Sequence, residues 1–387
     1  MAFSLRAPLI TLAGRGLAWF FPRRPPPPPE AVRRVLVVRP AALGDILMAT
    51  PALSALRQGY PRASITLAVG RWFKDVVAGN PDVDEVLDCG AFGTPGRYGW
   101  KEVWRFARQI GQRDFDLAVV LDRSPRVAIA PWLAGIPHRA GIDSAGRGFA
   151  LTVGVPWDRP IHEAALMLEV VRALGLERPA PRLKFVPDEE HRRFAERVLQ
   201  EWGLAKHFPM VVVHPGGASN PGMVMPAKRW PAPRFAALAD RLVETIDAKI
   251  VIVGHGADAP LARQMRMAMR HPVVDLVGQT TVIGQLAALL ERSHLYIGND
   301  SAPLHLATAV GTPVVGIFGP TNPAVYGPFN AKGVGLVHEA ACSQRRPFAP
   351  GPLSACPDCR CIDLVTVDRA QAAAAQLLTA AAPHQRR

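Results

Sequence analysis

Aromatic residues make up only 7% of this 387-residue chain, and it holds just five cysteines. No apolar run reaches the roughly twenty residues a bilayer-spanning helix needs. That last absence argues against an integral membrane protein. The cysteines are Cys89, Cys342, Cys356, Cys359 and Cys361. An odd number crowded toward one end of a large chain is not a secreted disulfide framework, so a reducing, cytoplasmic compartment is expected. Sparse aromatics, with arginines spread along the chain and no dense Lys/Arg block, argue against single-stranded nucleic acid as a partner. What the chain does have is a formal net charge of +13. Such a charge favours phosphate-bearing substrates or an anionic membrane surface.

The first residues, Met1 to Phe21, are apolar and end in Trp19-Phe20-Phe21, with Arg6 and Arg15 inside and Arg23-Arg24 beyond. Such a segment can lie on a membrane surface, which predicts peripheral membrane association. Arg6 and Arg15 fall on opposite sides of a helix, however, so a loosely ordered extension is the competing reading. A signal peptide fits worse, because its basic region is thin and Arg15 interrupts the apolar core.

Pro25 to Pro29 form a stiff proline run that is expected to separate this extension, residues 1–30, from the folded body. Short Val/Ile/Leu strands then alternate with helices, beginning with Val35 to Val38, a helix near 44–58 and Ile65 to Val69. The rhythm predicts an α/β fold with a parallel sheet. A second series of the same texture opens at Val211. The expected division is 31–187 for a first Rossmann-like domain, 188–207 for a connection, 208–345 for a second Rossmann-like domain, and 346–387 for a cysteine-containing loop and final helix. Two doubly wound, Rossmann-like domains describe the GT-B architecture, whose ligands sit beyond the carboxyl ends of both sheets.

Polar motifs follow the strands. After the first comes Arg39-Pro40-Ala41-Ala42-Leu43-Gly44-Asp45, in which Gly44 permits a tight turn or a close approach to a ligand, and Asp45 either faces a ligand or caps the helix. The second domain opens with His214-Pro215-Gly216-Gly217-Ala218-Ser219, where successive glycines can turn backbone N–H groups toward an anion. Lys228-Arg229 places two cations where a phosphate can be neutralised. Asn299-Asp300-Ser301 ends a strand and starts a helix, whose N-terminus favours an anion. His305 falls one turn further on, and Gly319-Pro320-Thr321 closes the next strand.

This ordered set, Gly44-Asp45 with Thr50-Pro51-Ala52-Leu53, His214-Pro215-Gly216, Lys228-Arg229-Trp230, Asn299-Asp300-Ser301 with His305, and Gly319-Pro320-Thr321, resembles the ADP-heptose:lipopolysaccharide heptosyltransferases, glycosyltransferase family 9. The resemblance implies metal-independent, inverting transfer of heptose from ADP-heptose to a Kdo–lipid A acceptor, without a cofactor. It implies Asp45 as the general base and Lys228 as the diphosphate ligand. Asp300, Ser301 and His305 would line the donor pocket. The turn carries Gly216-Gly217-Ala218 where family members often place Thr or Ser, with Ser219 following.

Other patterns compete. Asp82-Val83-Asp84 and Asp114-Phe115-Asp116 imitate a metal-binding pair, but neither follows a central strand. Gly254-His255-Gly256-Ala257-Asp258-Ala259, with Asp275 downstream, imitates a dinucleotide fingerprint and supports a dehydrogenase or a non-catalytic nucleotide binder. It follows the second strand of its series, so a donor-side loop with Asp258 near the ribose or sugar is preferred. Cys342, Cys356, Cys359 and Cys361 suggest zinc or redox pairing against a packed, reduced loop. His162-Glu163 opens a helix and faces the acceptor or the donor, or forms a local ion pair. Arg71, Arg97, Arg105, Arg123 and Arg126 suit carboxylates or phosphates of the acceptor. A related transferase with another NDP-sugar or glycan acceptor is the nearest alternative.

Overall fold

The computed structural model describes residues 16, 19, 21, 23–176, 182–205, 207–220, 223–338 and 361–381. It divides into two compact units. One holds Met1–Pro181 with Pro221–Met223, and the other Arg182–Asn220 with Val224–Arg387.

The first unit is built on β1 (Arg34–Val38), β2 (Ser64–Val69), β3 (Glu85–Asp88), β4 (Leu117–Val120), β5 (His138–Asp143) and β6 (Val153–Pro156). Their order is β3-β2-β1-β4-β5-β6, and every pairing is parallel. Val35 to Val38 and Leu117 to Val120 are fully buried, as central strands covered on both faces must be. The crossovers include α1 (Leu43–Gly59), α2 (Trp100–Gly111), α3 (Pro125–Leu133) and α4 (Glu163–Arg172).

The second unit repeats this plan. After α5 (Glu189–Glu201) come β7 (Met210–His214), α6 (Ala232–Ile246), β8 (Lys249–Ile252), α7 (Ala259–Ala268), β9 (Val274–Asp275) and α8 (Ile283–Glu291). Then follow β10 (Leu295–Asn299), α9 (Ala302–Ala309), β11 (Val314–Ile317), α10 (Pro323–Tyr326), β12 (Gly333–Leu336) and α11 (Val367–Ala381). The sheet runs β9-β8-β7-β10-β11-β12, again wholly parallel. Two parallel six-stranded sheets with flanking helices are the GT-B fold class that the sequence predicts. In each unit the strand order reverses between the first and fourth strands, the place where doubly wound sheets bind ligands.

Residues 188–207, expected as the interdomain connection, contain α5. Helix α5 buries Ala195, Val198 and Leu199, and its Arg192 pairs with Glu291 of α8 at 3.0 Å, so it belongs to the second unit. Helix α11 also packs there, with Ala370, Ala374 and Leu378 in the same core as Phe235 and Leu238 of α6. Phe21 is buried edge-on against Trp132, with centroids 4.9 Å apart, and Arg23 reaches Asp143 at 3.3 Å.

Among the described residues no helix is long and apolar enough to cross a membrane. Cys89 and Cys361 are both buried, and burial pushes the Cys89 thiol up to about 12. The other three cysteines, and with them the zinc or redox reading, lie outside the described residues.

Candidate active site

At the reversal point of the first sheet, β1 ends in Arg39 and β4 leads into Asp122-Arg123. Arg39 is 4% exposed and faces three carboxylates: Asp45 at 3.2 Å, Glu163 at 3.3 Å and Asp122 at 3.7 Å. It also donates to the Leu121 carbonyl at 2.5 Å. Glu163, fully buried at the start of α4, is shared with Arg123, whose guanidinium lies 3.9 Å from the Trp157 ring centre. A buried carboxylate is stable only with such partners. Burial outweighs Arg39's attraction at Asp122 and raises its carboxyl above the ordinary value.

Asp45 sits in the first turn of α1 and accepts the Ala42 N–H at 3.0 Å, so it both closes the helix start and meets Arg39. Its side chain is one-third exposed (33%), unlike Glu163. Helix α1 begins at Leu43, which puts Gly44 inside the helix. Gly44 is not among the residues with positive φ, so it makes no left-handed turn.

The reversal point of the second sheet lies between the ends of β7 and β10. Buried Asn299 donates to the carbonyls of Pro215 (3.1 Å) and Gly216 (3.0 Å) and accepts the Trp230 N–H at 2.8 Å. It thereby ties the glycine turn to the segment carrying Lys228. Lys228 pairs with buried Asp300 at 2.6 Å, and Thr321 donates to the same carboxylate oxygen at 2.6 Å. Burial works to raise the Asp300 carboxyl, but Lys228 and His305 together hold it below its ordinary value. His305 is itself buried on α9. Ser301 stands at the start of α9 and donates to the Asn299 carbonyl at 3.3 Å, without a side-chain bond capping the helix.

The glycine turn is organised differently from the expectation. The Gly217 N–H donates to Asp258 at 3.1 Å instead of facing a ligand, and Asp258 also meets His214 at 3.3 Å and the His255 N–H at 3.0 Å. A carboxylate at 7% exposure needs those donors. Burial opposes its ionisation, yet His214 and the two backbone N–H groups prevail and hold the carboxyl at about 2. Gly217 has φ +83°, and a Cβ there would lie 2.7 Å from Ser301 Cβ, so glycine is required twice over. Ser219 is exposed beyond this turn.

The depressed carboxyl at Asp258 has a measurable consequence. Its contribution is present above the unfolded value near 3.8 and is lost as pH falls toward 2. Asp258→Asn should therefore cost about 2 kcal/mol at pH 6, and the gap to wild type should narrow between pH 4 and pH 2 in urea titrations. A constant gap across that window would contradict this assignment.

Of the remaining expected residues, His162 accepts the Ala164 N–H at the start of α4 through Nδ1 at 3.1 Å. Arg71 is exposed just beyond β2, beside Gly90 and Trp72, and has no ion pair with the Arg39 cluster. The competing patterns have structural uses. Asp84 accepts the Ile65 N–H at 2.7 Å, Asp116 accepts those of Arg33 and Arg34, and Asp275 pairs with Arg266 at 3.4 Å. Asp122 escaped the sequence reading altogether, and Asn299 was read only as part of its motif. Asp122 carried a usable signal, since it follows a central strand just as Asp45 follows β1.

The sequence profile described as glycosyltransferase family 9 (heptosyltransferase) matches residues 103–347. Lipooligosaccharide heptosyltransferase 2 of Haemophilus influenzae is 27% identical over 316 residues, covering 77% of this chain and 86% of its own length. Among solved structures, a family 9 glycosyl transferase from Veillonella parvula superposes with a TM-score of 0.74 at 25% identity, covering 90% of this chain and 97% of its own. The E. coli ADP-heptose lps heptosyltransferase II superposes with a TM-score of 0.66 at 22% identity, covering 90% and 99%.

Proposed function

Because the chain belongs to glycosyltransferase family 9, the heptosyltransferases, we propose that it moves heptose from ADP-L-glycero-β-D-manno-heptose to the Kdo–lipid A inner core. Transfer proceeds with inversion and without a metal, at the cytoplasmic face of a membrane that the enzyme touches peripherally. The observation that carries this reading is Asp45, a partly exposed carboxylate fixed by a buried arginine at a sheet's ligand edge.

In this account the first unit serves the acceptor. Asp45 takes the proton of the acceptor hydroxyl as its oxygen bonds to C1 of heptose and the bond from C1 to the diphosphate oxygen breaks. The departing ADP carries the charge that develops. Lys228 has three N–H donors and Asp300 occupies one, which leaves donors for the diphosphate. The N-terminus of α9, with Ser301, supplies further N–H groups to the same anion. His214, Gly216 and Gly217 shape the wall of the donor site, with Ser219 at its rim. Asp258 acts there as a positioning residue, and His305 supports Asp300. Arg39, Arg123 and His162 organise the acceptor edge, with Gly44 on the bare first turn of α1 and Arg71 further out.

The test is turnover of purified protein with ADP-heptose and Kdo–lipid A in EDTA, beside other NDP-sugars. Sustained heptose transfer under chelation is expected. Full dependence on added divalent metal, or preference for another donor, would overturn the donor and mechanism assignments. Lys228→Met should lower kcat/KM about a hundredfold and weaken ADP binding in calorimetry. Unchanged ADP affinity would remove Lys228 from the donor site.

A further inference from the structure

Helix α2 packs Val103, Phe106, Ala107 and Ile110 into the first unit's core. At 3.6 residues per turn its Trp100 and Trp104 fall on one adjoining strip, and Lys101, Arg105 and Arg108 on the next. Both tryptophans are more than half exposed, at 53% and 59%, and Trp72, which Arg97 links to the segment before this helix, is 43% exposed. Basic side chains lie against two of them. Arg97 and Arg71 lie 5.5 and 6.0 Å from the Trp72 ring centre, and Arg126 lies 5.9 Å from that of Trp100. Glu102, the acid within this stretch, is turned to the helix start, where it accepts the Gly99 N–H at 2.8 Å.

Three exposed indoles on a soluble surface need a reason, since large apolar groups gathered in one patch mark a contact face. Indoles bordered by Arg and Lys are the composition favoured at the boundary between lipid headgroups and hydrocarbon. A protein partner or nucleic acid would satisfy the charge. Neither requires tryptophans seated between a buried apolar stripe and a basic one. The patch also adjoins the acceptor edge: Trp72 follows β2, and Tyr98 shares a 2.7 Å hydrogen bond with Ser124, two residues beyond Asp122.

We propose that the Trp72–Trp100–Trp104 patch, with Arg97, Lys101, Arg105, Arg108 and Arg126, docks the first unit on an anionic bilayer. This deepens the peripheral association proposed above and assigns it to a surface outside the first twenty residues. Docking there presents the edge that carries Asp45 to an acceptor embedded in the same bilayer.

Sedimentation with vesicles of phosphatidylglycerol and phosphatidylethanolamine, against phosphatidylcholine alone, tests it on the full chain. Wild type should prefer the anionic vesicles and lose that preference at high salt. Trp100→Ser/Trp104→Ser and Lys101→Glu/Arg108→Glu should each weaken binding about tenfold or more, with unchanged thermal melting. Both should retain turnover on a lipid-free core-sugar acceptor. Wild-type indifference to the anionic lipid, or wild-type binding by both variants, would overturn the proposal. So would loss of turnover on the soluble acceptor with vesicle binding intact, which would assign the patch to acceptor sugars. Vesicle binding without any heptose transfer would leave the docking face standing and remove the heptosyltransferase reading instead.

Discussion

Asp45→Asn is expected to lower kcat by about 10²- to 10⁴-fold, the range over which one positioned base assists a proton transfer, while ADP-heptose affinity stays unchanged. An acceptor hydroxyl is a weak nucleophile until its proton leaves. The carboxamide keeps an oxygen for the Ala42 N–H, so the start of α1 survives the change. What it loses is basicity and the charge opposite Arg39. Turnover within a factor of a few of wild type would remove Asp45 from the chemistry and leave it a helix cap.

The second large effect concerns stability. Arg39→Met should destabilise the protein by about 3–5 kcal/mol, as expected when one partner of a buried ionic cluster is removed. Methionine fills the stem's volume but leaves Asp122, Glu163 and Asp45 without the cation they share. The sign of the pH dependence can be fixed from Asp122. Its folded-state carboxyl is raised above the ordinary value by burial, and Arg39 restrains that rise. A raised group weakens folding as pH climbs from the unfolded value through the folded one. Without Arg39 that window widens upward, so the deficit at pH 7.5 should shrink when urea denaturation is repeated near pH 5. A loss under about 1 kcal/mol, or a deficit that grows on acidification, would show that Arg39 is not the hub of this cluster.

The central strands were legible because β1, β4, β7 and β10 are buried on both faces and carry the apolar runs 35–38, 117–120, 210–213 and 295–297. The strands that the sequence hid are β3, β5, β6 and β12. β5 reads His-Arg-Ala-Gly-Ile-Asp, with Arg139 donating to three backbone carbonyls and Gly141 placed where a Cβ would stand 2.6 Å from the Val120 carbonyl. β6 and β12 carry glycine and run along the outer part of their sheets, where continuous burial is not required. Helix α3 was masked by Pro125 and Pro131, the first at its tolerated opening position.

The site was legible to the extent that its residues follow strands. His214 ends β7, and Asp45, Lys228, Asp300 and Ser301 stand in loops or helix starts beyond a strand, where motif and topology agree. Long-range pairing was not legible. Glu163 meets Arg39 across 124 positions, and Asp258 reaches back 44 positions to His214. Sequence pattern places such residues near an edge but says nothing of which buried charge they neutralise. The glycine turn illustrates the limit, since its N–H groups appear free in the sequence while a buried carboxylate claims one of them.

The anomeric configuration of the product tests the central claim most directly. With β-configured ADP-heptose and a Kdo-bearing acceptor, a single displacement assisted by Asp45 must yield an α-linked heptose, readable by NMR from the one-bond C1–H1 coupling. A β-linked product would require two displacements and a nucleophile on the enzyme, and would contradict the role given to Asp45.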